Sequence, residues 1–291
     1  MEARVTFPER ISLGSLYLAD RLFPHQRKWI GEAVGSFASM IPDNKLIGLA
    51  LSGHIPDETL EESAADLDIL TSLDLSTAHY SDRILKVSCG MSHLQELRLD
   101  FAPFSDSHAL KLQGLERLAT IWLLHTSITN KGLKHLAALP SLSALVLKKT
   151  EITDGGLIHL KEMKALTTLL LPSGISDQGL DELKEMTQLH HLDLSACAVT
   201  DSGMRYVAAL TGLRTLYLTD TKITDAAMPE LARLENLEAL YLVGTGVTDK
   251  GINLLDSMKN LTFLDARDTA CTEIGLARLK SSLPACDIVG L

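Results

Sequence analysis

The chain has 291 residues, of which 46% are hydrophobic and 22% are charged, and its formal net charge is −10. This composition predicts a folded, soluble protein, and its acidity argues against nucleic acid and anionic membranes as partners. No apolar run reaches the roughly 18 residues that a membrane-spanning helix requires, and no signal-peptide pattern opens the chain.

Residues 1–45 do not fit the regular pattern that governs the rest of the chain. The stretch Ser36–Ile41 reads as a short strand, and the turn-forming residues Pro42–Lys45 follow it. The first strand of a repeat stack would otherwise present an open apolar edge. We therefore predict that residues 1–45 form an N-terminal cap made mostly of β-structure.

Residues 46–284 contain ten copies of one unit of about 24 residues. In the copy at 142–165, Leu145 and Leu147 alternate with Val146 as along a strand, and later apolar residues recur every three positions as on one face of a helix. A Thr-Asp pair of helix-capping type lies between the two patterns. One unit cannot bury its apolar side alone, so neighbouring copies must stack. The copies begin at Leu46, Leu70, Leu94, Leu118, Leu142, Leu166, Leu189, Leu213, Leu237 and Leu261.

These units read L-x-x-L-x-L-x-x-T-x-I-T-D-x-G-L, and the pattern resembles the leucine-rich repeat family over residues 46–291. The T-D-x-G-L ending is similar to the cysteine-containing, F-box-associated-like subtype, which also occurs in free-standing bacterial proteins. The resemblance implies an α/β solenoid, which is a general binding scaffold. Right-handed crossovers and the greater width of helices predict a right-handed leucine-rich-repeat horseshoe, with a parallel β-sheet on the concave face and helices on the convex face.

Two places depart from the regular spacing. The repeat that starts at Leu166 has 23 residues, and the missing residue falls within 172–174. A shortened loop with proline and glycine predicts a local kink, which is either a notch for a ligand or a neutral deletion. Continuing the period beyond Leu261 places Ile288 at an inward strand position, so residues 285–291 are predicted to form a C-terminal capping strand.

Large side chains occupy strand positions that face away from the predicted core. Five of the ten residues in the middle outward column are large and apolar, and such groups, rimmed by charges, are typical of a protein-binding hot spot. The competing interpretation is that these side chains only cover one another. The predicted partner-binding residues are Phe101, Trp122, Leu124, Val146, Lys148, Leu170, His191, Tyr217, Tyr241, Val243, Phe263 and Arg267.

Few residues suggest chemistry. Cys197 follows His190 and His191, which permits a thiol-dependent hydrolase, although Cys197 occupies the structural threonine position of the repeat. No C-x-x-C pair or other metal motif is present, so we predict no metal and no cofactor. Helix capping explains a column of aspartates, which comprises Asp154, Asp201, Asp225 and Asp249.

The sequence therefore predicts a non-enzymatic protein-protein interaction scaffold that holds a protein partner on its concave β face. We expect a cytoplasmic location, because stacking brings none of the four cysteines beside another. We also expect a monomer. The alternative is the substrate-recognition receptor of an F-box-type ubiquitin ligase, by resemblance to F-box repeat proteins. That function requires a helical F-box ahead of the repeats, where residues 1–45 favour β-structure.

Overall fold

The chain folds into two compact units, Met1–Leu142 and Ser143–Leu291. In the second unit, and in the first unit from residue 82 onward, short strands alternate with helical segments. None of the helices in the described ranges has the length and apolar content to span a bilayer. The computed structural model describes residues 2–6, 14–20, 27–32, 36–40, 45–51, 53–54, 67–76, 78–79 and 82–290.

A mixed sheet dominates the first unit. The strands of this unit are β1 (Glu2–Thr6), β2 (Gly14–Asp20), β3 (Arg27–Glu32), β4 (Ser36–Met40), β5 (Lys45–Leu51), β6 (Gly53–His54), β7 (Ser72–Asp74), β8 (Ala78–His79), β9 (Glu96–Arg98) and β10 (Thr120–Trp122). The order in the main sheet is β3-β2-β5-β7-β9-β10, in which β5, β7, β9 and β10 are parallel and β2 is antiparallel to both its neighbours. β1 pairs with β4, and β6 pairs with β8, in separate two-stranded sheets.

The described residues within 1–45 are thus strands, and none of them is helical. A helical F-box is therefore not found among them. That this segment caps the repeats stays a prediction.

Helices follow the later strands of the first unit. Thr129 begins the last of them with a hydroxyl that accepts the N–H of Lys131, and the basic residues Lys134 and His135 lie in its last turn, where they complement the helix dipole. From residue 82 onward, the described helices of this unit are α1 (Asp82–Cys89), α2 (Asp106–Lys111) and α3 (Asn130–Leu136), with a 3-10 turn at Leu112–Gly114.

The second unit has one parallel sheet of regular register. Leu169 of one strand lies opposite Leu145 and Leu192 of the two strands beside it, and each further strand continues this row. The order follows the sequence throughout. The strands are β11 (Ala144–Val146), β12 (Thr168–Leu170), β13 (His191–Asp193), β14 (Thr215–Tyr217), β15 (Ala239–Tyr241), β16 (Phe263–Asp265) and β17 (Asp287–Val289).

The helical segments of the second unit are shorter and tighter than the predicted helices. Leu157, Leu160 and Met163 recur every three residues, which matches the three residues per turn of a 3-10 helix better than the 3.6 of an α-helix. The α-helices are α4 (Asp177–Leu180), α5 (Met204–Val207), α6 (Met228–Leu231), α7 (Asp249–Ile252) and α8 (Glu273–Ser282). The 3-10 segments are Asp154–Glu162, Asp181–Leu183, Asp201–Gly203, Asp225–Ala227 and Asn253–Leu255.

The recurring aspartates follow the N-cap threonine of their own helical segments, and their carboxylates bond to the N-cap residue of the next repeat, which corrects the interpretation from sequence. Thr248 is the N-cap of α7, and its N–H and hydroxyl both donate to the carboxylate of Asp225 in the preceding repeat, at 2.7 Å each. Asp249 accepts the same two bonds from Thr272. The carboxylates therefore join consecutive repeats along the helical side. The carboxylates of Asp106, Asp154, Asp177 and Asp201 accept equivalent bonds from the N-cap residue of the following repeat.

The core consists of stacked leucines. All twenty inward strand positions, from Leu49 and Leu51 to Leu264 and Ala266, are buried, and none is more than 3% exposed. Burial of this apolar surface on one side of each sheet is the main stabilising contribution. The fold is an α/β solenoid of leucine-rich repeats, as the periodicity predicts.

Candidate protein-binding surface

The outward side chains of the second sheet form the surface that we call the β face. Its middle row runs along consecutive strands, and residues two positions before and after flank it. The middle row comprises Val146, Leu170, Asp193, Tyr217, Tyr241 and Asp265.

Three aromatic rings meet on this face. Tyr217 and Tyr241 lie opposite each other on neighbouring strands, and their rings stack with centroids 4.2 Å apart and planes inclined by 14°. Phe263 lies 5.2 Å from Tyr241 with a tilt of 41°. Tyr217 and Tyr241 stack because they are in register on parallel strands about 4.8 Å apart, whereas Phe263 lies opposite Ala239 and meets Tyr241 diagonally. The rings are half-buried, so the stacked faces cover each other while the rest of the cluster stays accessible.

Burial affects the acidity of this cluster. It raises the pKa of the Tyr217 hydroxyl to about 12, and the neighbouring Tyr241 and Asp193 add to the increase. The phenol is therefore neutral at physiological pH and acts as a hydrogen-bonding group, not as an anion.

Two ion pairs flank the tyrosines. On one side Lys148 Nζ donates to Asp193 Oδ1 at 2.9 Å and to the carbonyl of Ser195 at 3.0 Å. On the other side Arg267 holds Asp265 through two bonds of 2.9 and 2.6 Å, and these bonds keep the pKa of the Asp265 carboxyl below its usual range. The predicted rim charges Lys148 and Arg267 are thus partly neutralised within the sheet.

The shortened repeat lies beneath the first ion pair. Pro172, in the row between Lys148 and Ser195, is buried, and the Lys148 side chain extends over it to reach its acceptors. The deletion also removes the loop residue that, in other repeats, adopts a left-handed backbone conformation with positive φ. The other repeats from the third onward carry one, and these residues are Phe101, His125, Lys149, Ala196, Asp220, Gly244 and Asp268. The ion pair between Lys148 and Asp193 therefore crosses the shortened loop, where one expectation was a notch for a ligand.

The remaining predicted residues of the second unit differ in accessibility. Val146 is only 5% exposed, which corrects its assignment as an anchor: it is short and lies opposite the longer Leu170. Leu170 and Val243 are half-buried. His191 is exposed and lies in register with Thr168 and Thr215.

The first unit holds Phe101, Trp122 and Leu124. The indole N–H of Trp122 donates to Glu96 Oε1 at 3.1 Å, and the Arg98 guanidinium lies 4.2 Å from the centre of its ring. Glu96 is 1% exposed and also accepts the hydroxyl of Ser72. Trp122 is therefore held within a polar cluster that sequence reasoning missed, because its members lie on three different strands.

Phe101 and Leu124 lie just beyond the C-terminal ends of β9 and β10. Phe101 is 64% exposed, and its ring centroid lies 5.4 Å from that of His125. Its N–H donates to the carbonyl of Leu124, which is half-buried. Phe101 is thus the most accessible of the predicted aromatic residues.

A thiol nucleophile is not supported. Cys197 is 3% exposed, its thiol donates to the Pro172 carbonyl at 3.2 Å, and burial raises its pKa to about 12. A reactive cysteine needs an accessible thiol with a lowered pKa. Within the described ranges, no group of three or more His, Cys, Asp or Glu side chains is arranged to hold a metal ion.

The comparisons with known proteins agree with this architecture. The leucine-rich repeat family model matches residues 186–208. No curated protein sequence matches the chain significantly.

Two solved structures from Listeria monocytogenes are similar. The internalin InlF has a TM-score of 0.63 and 23% identity over 83% of this chain, which spans 66% of that structure. The internalin C2 has a TM-score of 0.55 and 20% identity over 81% of this chain, which spans 92% of that structure. At these identities the similarity establishes a shared fold only.

Proposed function

We propose that this protein is a non-enzymatic scaffold that binds a protein partner on the β face of its second unit. One observation carries the proposal: Tyr217, Tyr241 and Phe263 form a contiguous, half-exposed cluster on the outward side of a sheet whose core is already filled by leucine. Core packing does not require these rings. Aromatic clusters of this kind are enriched at the centres of protein interfaces.

The surroundings of the cluster support the same function. Asp193 and Asp265 lie beside the tyrosines, and each carboxylate has its own cation, so an apolar centre has a charged but largely neutralised margin. An interface core of low net charge costs less to desolvate than one with unpaired charges. The net charge of −10 supports a protein partner over nucleic acid or an anionic membrane.

Other properties belong to the same proposal. All four cysteines are free thiols, which supports a reducing, cytoplasmic location. We assign the repeats to the T-D-x-G-L subtype because a Thr-Asp pair recurs and glycine commonly stands two residues after the aspartate. We expect the scaffold to be monomeric until a partner binds.

The test removes the cluster and maps contacts. We expect the combined substitutions Tyr217→Ala, Tyr241→Ala and Phe263→Ala to weaken partner binding by about 2 kcal/mol or more, roughly 30-fold. A photo-crosslinking amino acid at position 241, used in native lysate, should capture a defined protein, identified by mass spectrometry. The same variant can then be titrated with that protein.

Tyr206→Ala is the matched control. Tyr206 is an aromatic residue on α5, away from the β face, and its hydroxyl bonds to Arg205. Its loss should leave binding unchanged. Equal crosslinking from positions 206 and 241, or full binding by a correctly folded triple variant, would contradict the proposal.

A further inference from the structure

One carboxylate at the margin of the aromatic cluster has no cation of its own. Asp220 follows Tyr217 by three residues, and its N–H donates to the carbonyl of Val243 at 2.8 Å, which fixes it beside the strand that carries Tyr241. A Cβ at Gly244 would collide with Asp220 Oδ1, so the carboxylate is turned toward a position that has no side chain. Asp220 is exposed, and no residue in the described ranges forms an ion pair or a hydrogen bond with this carboxylate.

Three cations around the aromatic cluster already have partners. Lys148 and Arg267 hold the two carboxylates that flank the tyrosines. Arg214 pairs with Glu238 at the opposite margin, three residues before the tyrosines on their strands. Asp220 therefore adds an uncompensated negative charge to its own margin of the β face. A cation on a partner is attracted to this margin, and an anion is repelled from it.

The sheet of the first unit shows which group complements an aromatic ring beside a carboxylate. There the Arg98 guanidinium lies 4.2 Å from the centre of the Trp122 ring, and its Nε lies 3.1 Å from Asp100 Oδ2. A guanidinium group suits this place because it is planar, stacks on aromatic rings and binds carboxylates through parallel bonds. The second unit has the rings and the carboxylate, but none of the arginines described there lies over Tyr217 or Tyr241.

We propose that the partner bound on the aromatic cluster has an arginine whose guanidinium group binds Asp220, while an adjacent apolar side chain packs on Tyr217 and Tyr241. This inference rests on the proposed function, because it assigns the chemistry of the partner at the same surface. The methylene groups of the arginine lie over the half-buried Val243, and its charged end lies above Gly244. Three residues along an extended strand span about 10 Å, so the arginine and the apolar residue are close neighbours on the partner.

The experiment uses the full chain and a blocked tripeptide of tryptophan, glycine and arginine. A matched peptide has citrulline in place of arginine, which keeps the shape of the side chain and removes its charge. We expect the arginine peptide to cause saturable shifts of the Asp220 and Gly244 amide signals in NMR spectra, and the citrulline peptide to bind about fivefold more weakly. Because salt screens an exposed ion pair, the difference between the peptides should shrink at high ionic strength.

Asp220→Asn separates local recognition from net charge. Asp220 is exposed, and asparagine also tolerates a left-handed backbone, so the unfolding midpoint should stay unchanged. The arginine peptide should bind this variant about fivefold more weakly, and the citrulline peptide should bind it as before. Asp256→Asn is the matched control, because it removes the same charge at an exposed position that follows the 3-10 segment Asn253–Leu255. It should leave both affinities unchanged.

Three results would overturn the inference: equal affinity for the two peptides, no saturable binding of the arginine peptide, or equal losses of affinity from Asp220→Asn and Asp256→Asn. Failure of the proposed function is recognised separately, since crosslinking from position 241 and the triple aromatic substitution test partner binding without changing Asp220. A partner that needs the aromatic rings and binds Asp220→Asn with full affinity would support the proposed function and contradict the arginine contact.

Discussion

The tight loop after each strand places one residue in a strained backbone conformation. Among the residues that the structure describes, six other than glycine adopt a left-handed backbone, with φ between 54° and 62°. Only Gly244 in this column, with φ of 69°, has the residue type that favours this conformation. Such a residue costs about 1 kcal/mol relative to glycine. The column persists because the stacked core determines where each loop must turn.

Ala196→Gly is therefore expected to stabilise the chain by about 0.5–1 kcal/mol, because the relief of strain exceeds the added entropy of the unfolded chain. The urea midpoint measures the change. Ala226→Gly, at an exposed position of a 3-10 segment, is the matched control and should destabilise by a similar amount. Destabilisation by both substitutions would show that the left-handed position carries no strain.

At the next level, the helical segments are joined by the bonds between aspartate and threonine. These bonds also explain why the T-D-x-G motif has glycine at position 251, because a Cβ there would collide with Oδ1 of Asp225. Threonine, aspartate and glycine therefore act together across two repeats. A helix of four residues is too short to be stable by itself, so these bonds and the leucine core stabilise it.

Asp225→Ala removes both bonds to Thr248 and is expected to lower the free energy of unfolding by about 1–2 kcal/mol. Asp225→Asn keeps a carbonyl acceptor and should cost less. Chemical denaturation measures both variants. Asp256→Ala, at an exposed aspartate of the same unit, should change stability by less than about 0.5 kcal/mol. Equal effects at positions 225 and 256 would argue against a role in joining repeats.

For the molecule as a whole, stability is expected to be a sum of similar terms from successive repeats. Several of these terms depend on ionised carboxylates. Bonds from Thr272 lower the pKa of Asp249, and bonds from Arg267 lower the pKa of Asp265. For Asp106, burial acts to raise the pKa, but bonds from Thr129 and Gly132 outweigh it and the pKa is lowered.

Each of these groups has a lower pKa in the folded chain than in the unfolded chain. The unfolded chain therefore binds protons first, and the stabilisation is complete above about pH 5 and lost as the pH falls through about 4 and below. We expect the urea midpoint to be constant near neutral pH and to fall in acid. Thr272→Val should reduce the steepness of that fall. A midpoint that rises on acidification would contradict this account.

Sequence periodicity predicts the inward half of each strand correctly. Alternation along the strand assigns Leu145 and Leu147 to the core, and the constant period places equivalent leucines in register. Both properties are local or follow from one spacing, so a single chain is enough to derive them. The same pattern did not distinguish 3-10 from α-helical segments, since apolar spacings of three suit both.

The exposure of the outward side chains of each strand depends on neighbours that are distant along the chain. Val146 is buried, whereas Tyr217 and Tyr241 in the same row remain accessible, and Lys148 in the flanking row reaches Asp193 two strands away. The exposure of an outward side chain depends on the size and charge of residues on adjacent strands. That information resides in contacts between repeats, about 24 or more residues apart in sequence, and emerges once the strands are packed side by side.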